Sequence, residues 1–413
     1  MSGRRVLVTN WGLVNRGGSE LYVRDLAVGL LRRGCEPVVW SPLTGPVADD
    51  IRSEGVQVID DLSTPIPEPD VLHCQHHDEA LAALARFPGR PGLFVQHGAV
   101  PWQEEAPLHP RLLRYVAVDE LCRARLLASG IDANRVTVIG NSVDLDRFAA
   151  RDPLPARPRR ALAFGNTAHE DGSLRYIRAA CTRLGIELDV AGVGVGAPLI
   201  NPEKHLADYD IVFAKARAAL EALAVGCAVV VVDEPGVAGM VTADLLPEWL
   251  RWNLGRNLLV HPHDTDLLCD ETDRYDPADV ERCRDHVRAH CDLDAMIDAL
   301  VAEQDHVLAE WARAEPPDPA AELVAASARL SLIGPLRNRD DALCAELATG
   351  RTRLEAVTEQ RDAGCAELDT LRATYEAQRK AGEELLAQRD ALLNRKAVRW
   401  VDAVASRRPG RAR

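Results

Sequence analysis

The segment VLVTNWGLVNRGGSELYVRDLAVGLLRRGCEPVVW, Val6 to Trp40, constrains the fold more than any other stretch of the chain. A short apolar strand, Val6-Leu7-Val8, runs into a loop that ends in Gly17-Gly18-Ser19-Glu20. Apolar residues then recur at Tyr22, Val23, Leu26, Ala27, Leu30 and Leu31, which is helical spacing. Gly34 ends the helix and Val38-Val39-Trp40 opens a second strand, so the segment is one βαβ unit. The paired glycines let a ligand approach the backbone closely. The unpaired amides of the first helical turn, at the positive end of the helix dipole, favour an anion there. The alternative is a plain strand-to-helix turn.

The chain has 413 residues, too many for one compact domain, and 47% of them are hydrophobic, enough for more than one core. A net charge of -14 argues against nucleic acid as a partner. The ten cysteines form no CxxC pair and read as reduced thiols of a cytoplasmic protein. The N-terminal residues lack the apolar core of a signal peptide, and no run reaches the roughly 18 apolar residues of a membrane span.

Strand-like runs alternate with helical patterns: Val56–Ile59, Val71–Cys74, Leu93–His97, Val116–Val118 and Val136–Ile139. They are short and do not alternate polar with apolar, as expected of strands covered on both faces. The Pro/Arg stretch RDPLPARPRR, residues 151–160, interrupts them. A second α/β series follows, with strands expected at Ala161–Phe164, Leu188–Ala191, Ile211–Phe213, Val229–Val232 and Leu258–Val260, and a helix across Ala218–Val225. This divides the chain into an N-terminal Rossmann-like domain over 1–150, a linker over 151–160 and a C-terminal Rossmann-like domain over 161–313. Beyond these lie a linker and short helix over 314–335, a coiled coil over 336–395 and a basic tail over 396–413.

The coiled coil rests on one heptad register, with Leu347, Leu354, Leu368 and Tyr375 on one seam position and Leu343, Val357, Leu371, Leu385 and Leu392 on the other. Gly350, Gly364, Gly382, Arg361 and Arg389 interrupt it, so a solvated single helix is the alternative. From Arg395 to the end the chain holds seven basic residues and one acid. Such a tail suits an anionic membrane surface at the inner face, or is a plain polar terminus.

Four segments together resemble the group 1 glycosyltransferases of the GT-B fold. Gly17-Gly18-Ser19-Glu20 is similar to their G-G-x-E, and Gln96-His97-Gly98 to their strand-end His-Gly. Gly140-Asn141-Ser142-Val143-Asp144, ending in Phe148, resembles the segment that closes their N-terminal domain. Ala219-Leu220-Glu221-Ala222 through Val230 resembles their L-E-A-x-A-x-G-x-P-V-V. These motifs lie in order between Val6 and Asp233; the coiled coil lies outside the resemblance.

The resemblance implies two Rossmann-like domains around a cleft, and transfer of a sugar from a nucleoside diphosphate donor to a glycan or lipid-linked acceptor. It implies that Gly17 and Gly18 face the donor phosphates or the acceptor, that His97 lies near the transferred sugar, and that Glu221 accepts hydrogen bonds from the donor ribose. A carboxylate in an apolar helix is costly unless it meets a cleft or a partner, which supports the role of Glu221.

The chain also departs from the family. The glutamate eight residues before Glu221 is replaced by Phe213, and the Arg and Lys after the first strand of the second domain are missing from Phe164-Gly165-Asn166-Thr167. Asn166 joins the donor-side candidates. Lys215 and Arg217 are the nearest cations for a diphosphate. No metal is expected, because no D-x-D ends a strand, and no cofactor beyond the nucleotide sugar.

His73-Cys74-Gln75-His76-His77-Asp78 matches no zinc spacing. Gly192-Val193-Gly194-Val195-Gly196 precedes no dinucleotide-binding helix. The expectation is therefore a cytoplasmic glycosyltransferase of cell-surface polysaccharide or glycoconjugate synthesis, self-associating through its coiled coil. The competing reading is a catalytically decayed GT-B scaffold that organises partner enzymes, motivated by the missing glutamate and cations.

Overall fold

The computed structural model of the chain describes residues 3–405, and the last part of the basic tail, 406–413, lies outside them. The chain falls into two units, 1–327 and 328–413.

Within the first unit, a seven-stranded sheet forms from β1 (Arg5–Thr9), β2 (Glu36–Trp40), β3 (Gln57–Ile59), β4 (Val71–Gln75), β5 (Gly92–Gln96), β6 (Leu112–Ala117) and β7 (Val136–Val138). All its pairings are parallel, in the order β3-β2-β1-β4-β5-β6-β7. The intervening helices are α1 (Gly18–Arg32), α2 (Pro46–Ser53), α3 (His77–Arg86) and α4 (Glu120–Ala128). β4 and β5 are buried at every position, which is why neither alternates polar with apolar, although His73, Gln75 and Gln96 are buried within them. The strand order reverses between β1 and β4, opening a crevice beyond their carboxyl ends where the Gly17-Gly18 loop begins α1.

The second lobe contains β8 (Arg160–Phe164), α5 (Ser173–Leu184), β9 (Glu187–Ala191), β10 (Ile211–Ala214), α6 (Ala216–Val225), β11 (Ala228–Asp233) and β12 (Gly236–Met240). Its five-stranded sheet has the order β12-β11-β10-β8-β9, and its switch point lies between β8 and β10. α7 (Leu246–Arg251), α8 (Thr265–Asp273) and α9 (Pro277–His290) complete it.

One expected strand is absent. Residues 256–258 form a 3-10 turn and Val260 is exposed, so Leu258–Val260 adds nothing to the sheet. The edge is taken by β12, antiparallel to β11. Its sequence, Gly236-Val237-Ala238-Gly239-Met240, gives little strand signal, because two of its five residues are glycines at positive φ. A Cβ on Gly236 would lie 2.4 Å from the His261 carbonyl oxygen, so the close passage of the two segments demands glycine.

The lobes are joined twice, side by side. Val143 donates its amide to the Cys291 carbonyl at 2.8 Å and accepts from the Leu293 amide at 3.0 Å, so the outgoing and returning segments cross as a pair. α10 (Leu293–Trp311) then packs on the first lobe, although sequence assigns residues up to 313 to the second. The spacing of Ile297, Leu300 and Val307 makes a stripe that enters the first core, and a Cβ on Gly29 of α1 would meet Ile297 at 2.8 Å. Periodicity identifies such a stripe; only the fold decides which sheet receives it.

After an irregular stretch over 314–318, α11 (Pro319–Ala405) runs for 87 residues, through the segment read as linker and short helix and on through the heptads. In the second unit Leu343, Leu347, Leu354, Val357, Leu368, Leu371, Tyr375, Leu385 and Leu392 are all exposed, and the helix continues through Gly350, Gly364 and Gly382. Among the described residues no helix is long and apolar enough to cross a membrane. All ten cysteines are free, and seven of them are buried.

Candidate functional site between the lobes

The two switch points border one crevice of about 590 Å³. From the first lobe it is lined by Arg16, Gly17, Gly18 and Arg24, and from the second by Asn166, Lys215, Arg217, Glu221 and Asp233. Six of the seven residues singled out from the sequence meet there; the seventh, His97, does not line it.

Gly17 precedes α1 with extended backbone and supplies no side-chain cap, while the Glu20 carboxylate lies back against this turn and accepts from its own amide. The Gly17 carbonyl accepts the first helical bond from the Leu21 amide at 3.1 Å. A Cβ on Gly17 would sit 2.4 Å from the Glu20 carboxylate, whereas one on Gly18 would find open space. Glu20 is itself buried, accepts from the Ser19 hydroxyl at 3.0 Å, and has its pKa raised mainly by desolvation.

On the second lobe Lys215 stands at the N-cap of α6, and its ammonium pairs with Asp233 at the end of β11. The next residue, Ala216, adopts φ +48, a strained value for a residue with a Cβ, and its amide donates to the Leu254 carbonyl at 2.9 Å. Glu221 lies one turn into α6 and is 4% exposed, within a helix otherwise buried by Ala219, Leu220, Ala222 and Leu223. Desolvation raises its pKa, opposed by Arg217, whose Nε donates to Glu221 Oε1 at 2.8 Å. The same guanidinium donates from Nη2 to Asp25 on α1. Burial alone would lower the pKa of Arg217, but the two carboxylates raise it, so it stays charged. Asn166 also spans the crevice: its Nδ2 donates to the Arg16 carbonyl and its Oδ1 accepts from the Val193 amide, both at 3.3 Å.

The remaining cations of the lining are each held by an acid. Arg16 meets Asp50 at 2.7 Å, Arg24 meets Asp25 at 2.6 Å, and Arg147 meets Glu203 at 3.1 Å. Sequence reasoning did not single out Asp25, Arg147 or Asp233. Asp25 had a readable signal, a carboxylate among the apolar positions Tyr22, Val23 and Leu26 of α1, the pattern that marks Glu221 on α6.

His97 follows β5 and does not line the crevice. Its Nε2 lies 2.7 Å from Gln75 Oε1, its ring meets Tyr22 edge-on at 4.6 Å, and its amide donates to Glu104 at 2.9 Å. Burial pushes its pKa down to about 4, leaving a neutral ring at pH 7. Tyr22 of α1 is buried in the first core and also meets His73, at 6.5 Å between ring centroids. The histidines beside it also diverge: His73 meets Gln304, His76 meets Glu104, and His77 meets the Glu105 carbonyl. Among the described residues no three ligating side chains are placed to hold a metal ion.

Residues 16–147 match the sequence profile of Glycosyltransferase Family 4. No curated protein matches the chain. Among solved structures, a glycosyltransferase from Rickettsia africae superposes with a TM-score of 0.54 at 14% identity, covering 75% of this chain and 99% of its own. Anabaena HepE in complex with UDP and glucose superposes with a TM-score of 0.53 at 15% identity, covering 73% and 99%. Sucrose-phosphate synthase from Thermosynechococcus elongatus gives 0.50 at 13% identity, covering 74% and 100%. At such identities the likeness concerns architecture: the two lobes of this chain are built as in GT-B glycosyltransferases, and the first lobe carries the Family 4 match.

Proposed function

We propose that the protein is a glycosyltransferase that moves a sugar from a nucleoside diphosphate to a hydroxyl of a glycan or lipid-linked acceptor. The observation that carries this reading is the convergence of both switch points on one crevice, with the glycine-opened start of α1 on one wall and a buried carboxylate on the other. The Anabaena structures with UDP, and with UDP-glucose, show a protein of this fold holding such a donor.

In this chain Glu221 takes the ribose hydroxyls as their acceptor. The amides opening α1, with Lys215 and Asn166, face the diphosphate. Catalysis comes from positioning and from stabilising the departing diphosphate with fixed amides and a cation. Arg217 would have to leave Asp25 and Glu221 to serve as a diphosphate ligand. Glu221→Gln is expected to weaken UDP binding by about 1–3 kcal/mol, read by titration calorimetry; unchanged affinity removes Glu221 from the donor site.

The decayed scaffold remains the second reading, favoured by Phe213 in place of a glutamate and by the acid already paired to each lining cation. A folded chain that binds none of a panel of nucleoside diphosphates supports it. On either reading the exposed seam of α11 serves self-association as a coiled coil, and the basic tail serves contact with the inner face of a membrane. Ending the chain before Arg337 is expected to convert the oligomer to a monomer in sedimentation; an unchanged sedimenting mass would remove the heptads from assembly.

A further inference from the structure

Four charged side chains from the two lobes meet beside the crevice: Arg24 and Asp25 of α1, and Arg217 and Glu221 of α6. Asp25 and Glu221 are 6% and 4% exposed, and their charges balance those of the two arginines. Arg217 is the shared member, with Nη2 on Asp25 and Nε on Glu221 Oε1. A guanidinium suits this arrangement because its donors form a rigid planar fork that can grip two carboxylates at once.

We propose that Asp25 and Arg217 are positioning residues that clasp the two lobes together and set the Glu221 carboxylate for the donor. The assignment rests on the donor reading of Glu221 given above.

The physical case has two parts. Arg217 and Glu221 stand four apart on one helix and would pair whether the lobes were open or closed. Asp25 lies on the other lobe, so its bond to Arg217 exists only when α1 and α6 face each other. In the closed arrangement Asp25 draws part of the guanidinium away from Glu221. The Glu221 carboxylate is then less completely neutralised and better able to accept hydrogen bonds from ribose hydroxyls. Without Asp25, Arg217 turns wholly onto Glu221 and competes with the ribose for the same oxygens. Donor affinity therefore depends on a residue that never touches the donor. It is coupled to closure because both draw on the same guanidinium.

The test uses the full chain with UDP as probe, comparing wild type with Asp25→Asn, Asp25→Glu and Arg217→Met. Calorimetry reads UDP affinity, and hydrogen exchange without nucleotide reads closure at the first turns of α1 and α6. Asp25→Asn is expected to weaken UDP about tenfold and to speed exchange on both helices, with Asp25→Glu recovering most of each. Arg217→Met is expected to speed exchange on both helices as well. Faster exchange on α1 alone would mean a local packing role and overturn the clasp, as would Asp25→Asn with affinity and exchange unchanged. If wild type binds no UDP while Asp25→Asn still loosens both helices, the clasp stands and the donor reading fails.

Discussion

Lowering the pH from 7 to 4 is expected to weaken the first lobe, because three of its histidines, His73, His97 and His109, are held neutral. Burial drives the pKa of His73 down to about 3 and that of His97 to about 4, from an ordinary value of 6.5. A group whose folded pKa is depressed binds its proton more weakly when folded. For these histidines the stability of the folded state is full above pH 6.5 and is lost as the pH falls through the window toward 4. For His73 the loss by pH 4 is about 3 kcal/mol, and for the partly exposed His97 it is smaller.

The hydrogen bonds around His73 explain why it cannot accept a proton cheaply. Its Nδ1 accepts from Gln304 Nε2 at 3.1 Å, and the Gln304 amide is held in that orientation by Arg4, which donates to its Oε1 at 3.2 Å. Urea denaturation across this pH range measures the effect. His73→Asn keeps an acceptor for Gln304 without a titrating ring, so its stability is expected to fall less steeply between pH 6.5 and 4. Equal slopes would show that His73 is not the titrating group. Asp25 belongs to a lower window. Desolvation alone would raise its pKa, but Arg217 and Arg24 hold it below the ordinary carboxylate value, so its contribution is lost only as the pH falls through that depressed value.

Arg111→Met is expected to cost about 3–5 kcal/mol of stability. Arg111 is 2% exposed and carries no partner acid in its immediate sequence. Its Nη1 donates to the carbonyls of Phe87 and Arg90 at 2.9 and 3.0 Å, and its Nη2 donates to the Leu84 carbonyl at 2.6 Å. Those carbonyls end α3 and the turn after it, where helix geometry leaves acceptors unsatisfied. Nη2 also pairs with Glu322 in the first turn of α11 at 2.9 Å. Methionine restores the volume but satisfies none of the carbonyls, so a fall in melting temperature on the order of 10 °C is expected in calorimetry. Glu322→Gln should cost less than about 1 kcal/mol, since that acid is partly solvated. Similar losses for the two variants would place the energy in the ion pair rather than in the carbonyls.

Most of the strand inventory was legible because these strands are short, largely apolar runs between helical periods, as β4 and β5 illustrate. β12 was not, since its glycines answer to neighbouring carbonyls and to Glu271 rather than to strand propensity. The donor-side residues were legible one at a time. Glu221 stood out as a carboxylate on an apolar helix, and Gly17-Gly18 as glycines at a helix start. The surroundings of His97 were not legible, because a histidine at a strand end looks the same in sequence whether or not a ring such as that of Tyr22 packs against it.

From its order of residues alone the chain fixed two α/β lobes, a glycine-opened first helix, an acid within α6 and a long heptad-bearing terminal helix. Those features depend on neighbours within a few turns, where period and propensity act directly. Which lobe receives α10, which strand edges the second sheet, and which acid each crevice cation meets were decided only in three dimensions. Asp25 and Arg217 lie far apart along the chain, and no local pattern fixes a contact that two separate lobes must close to make.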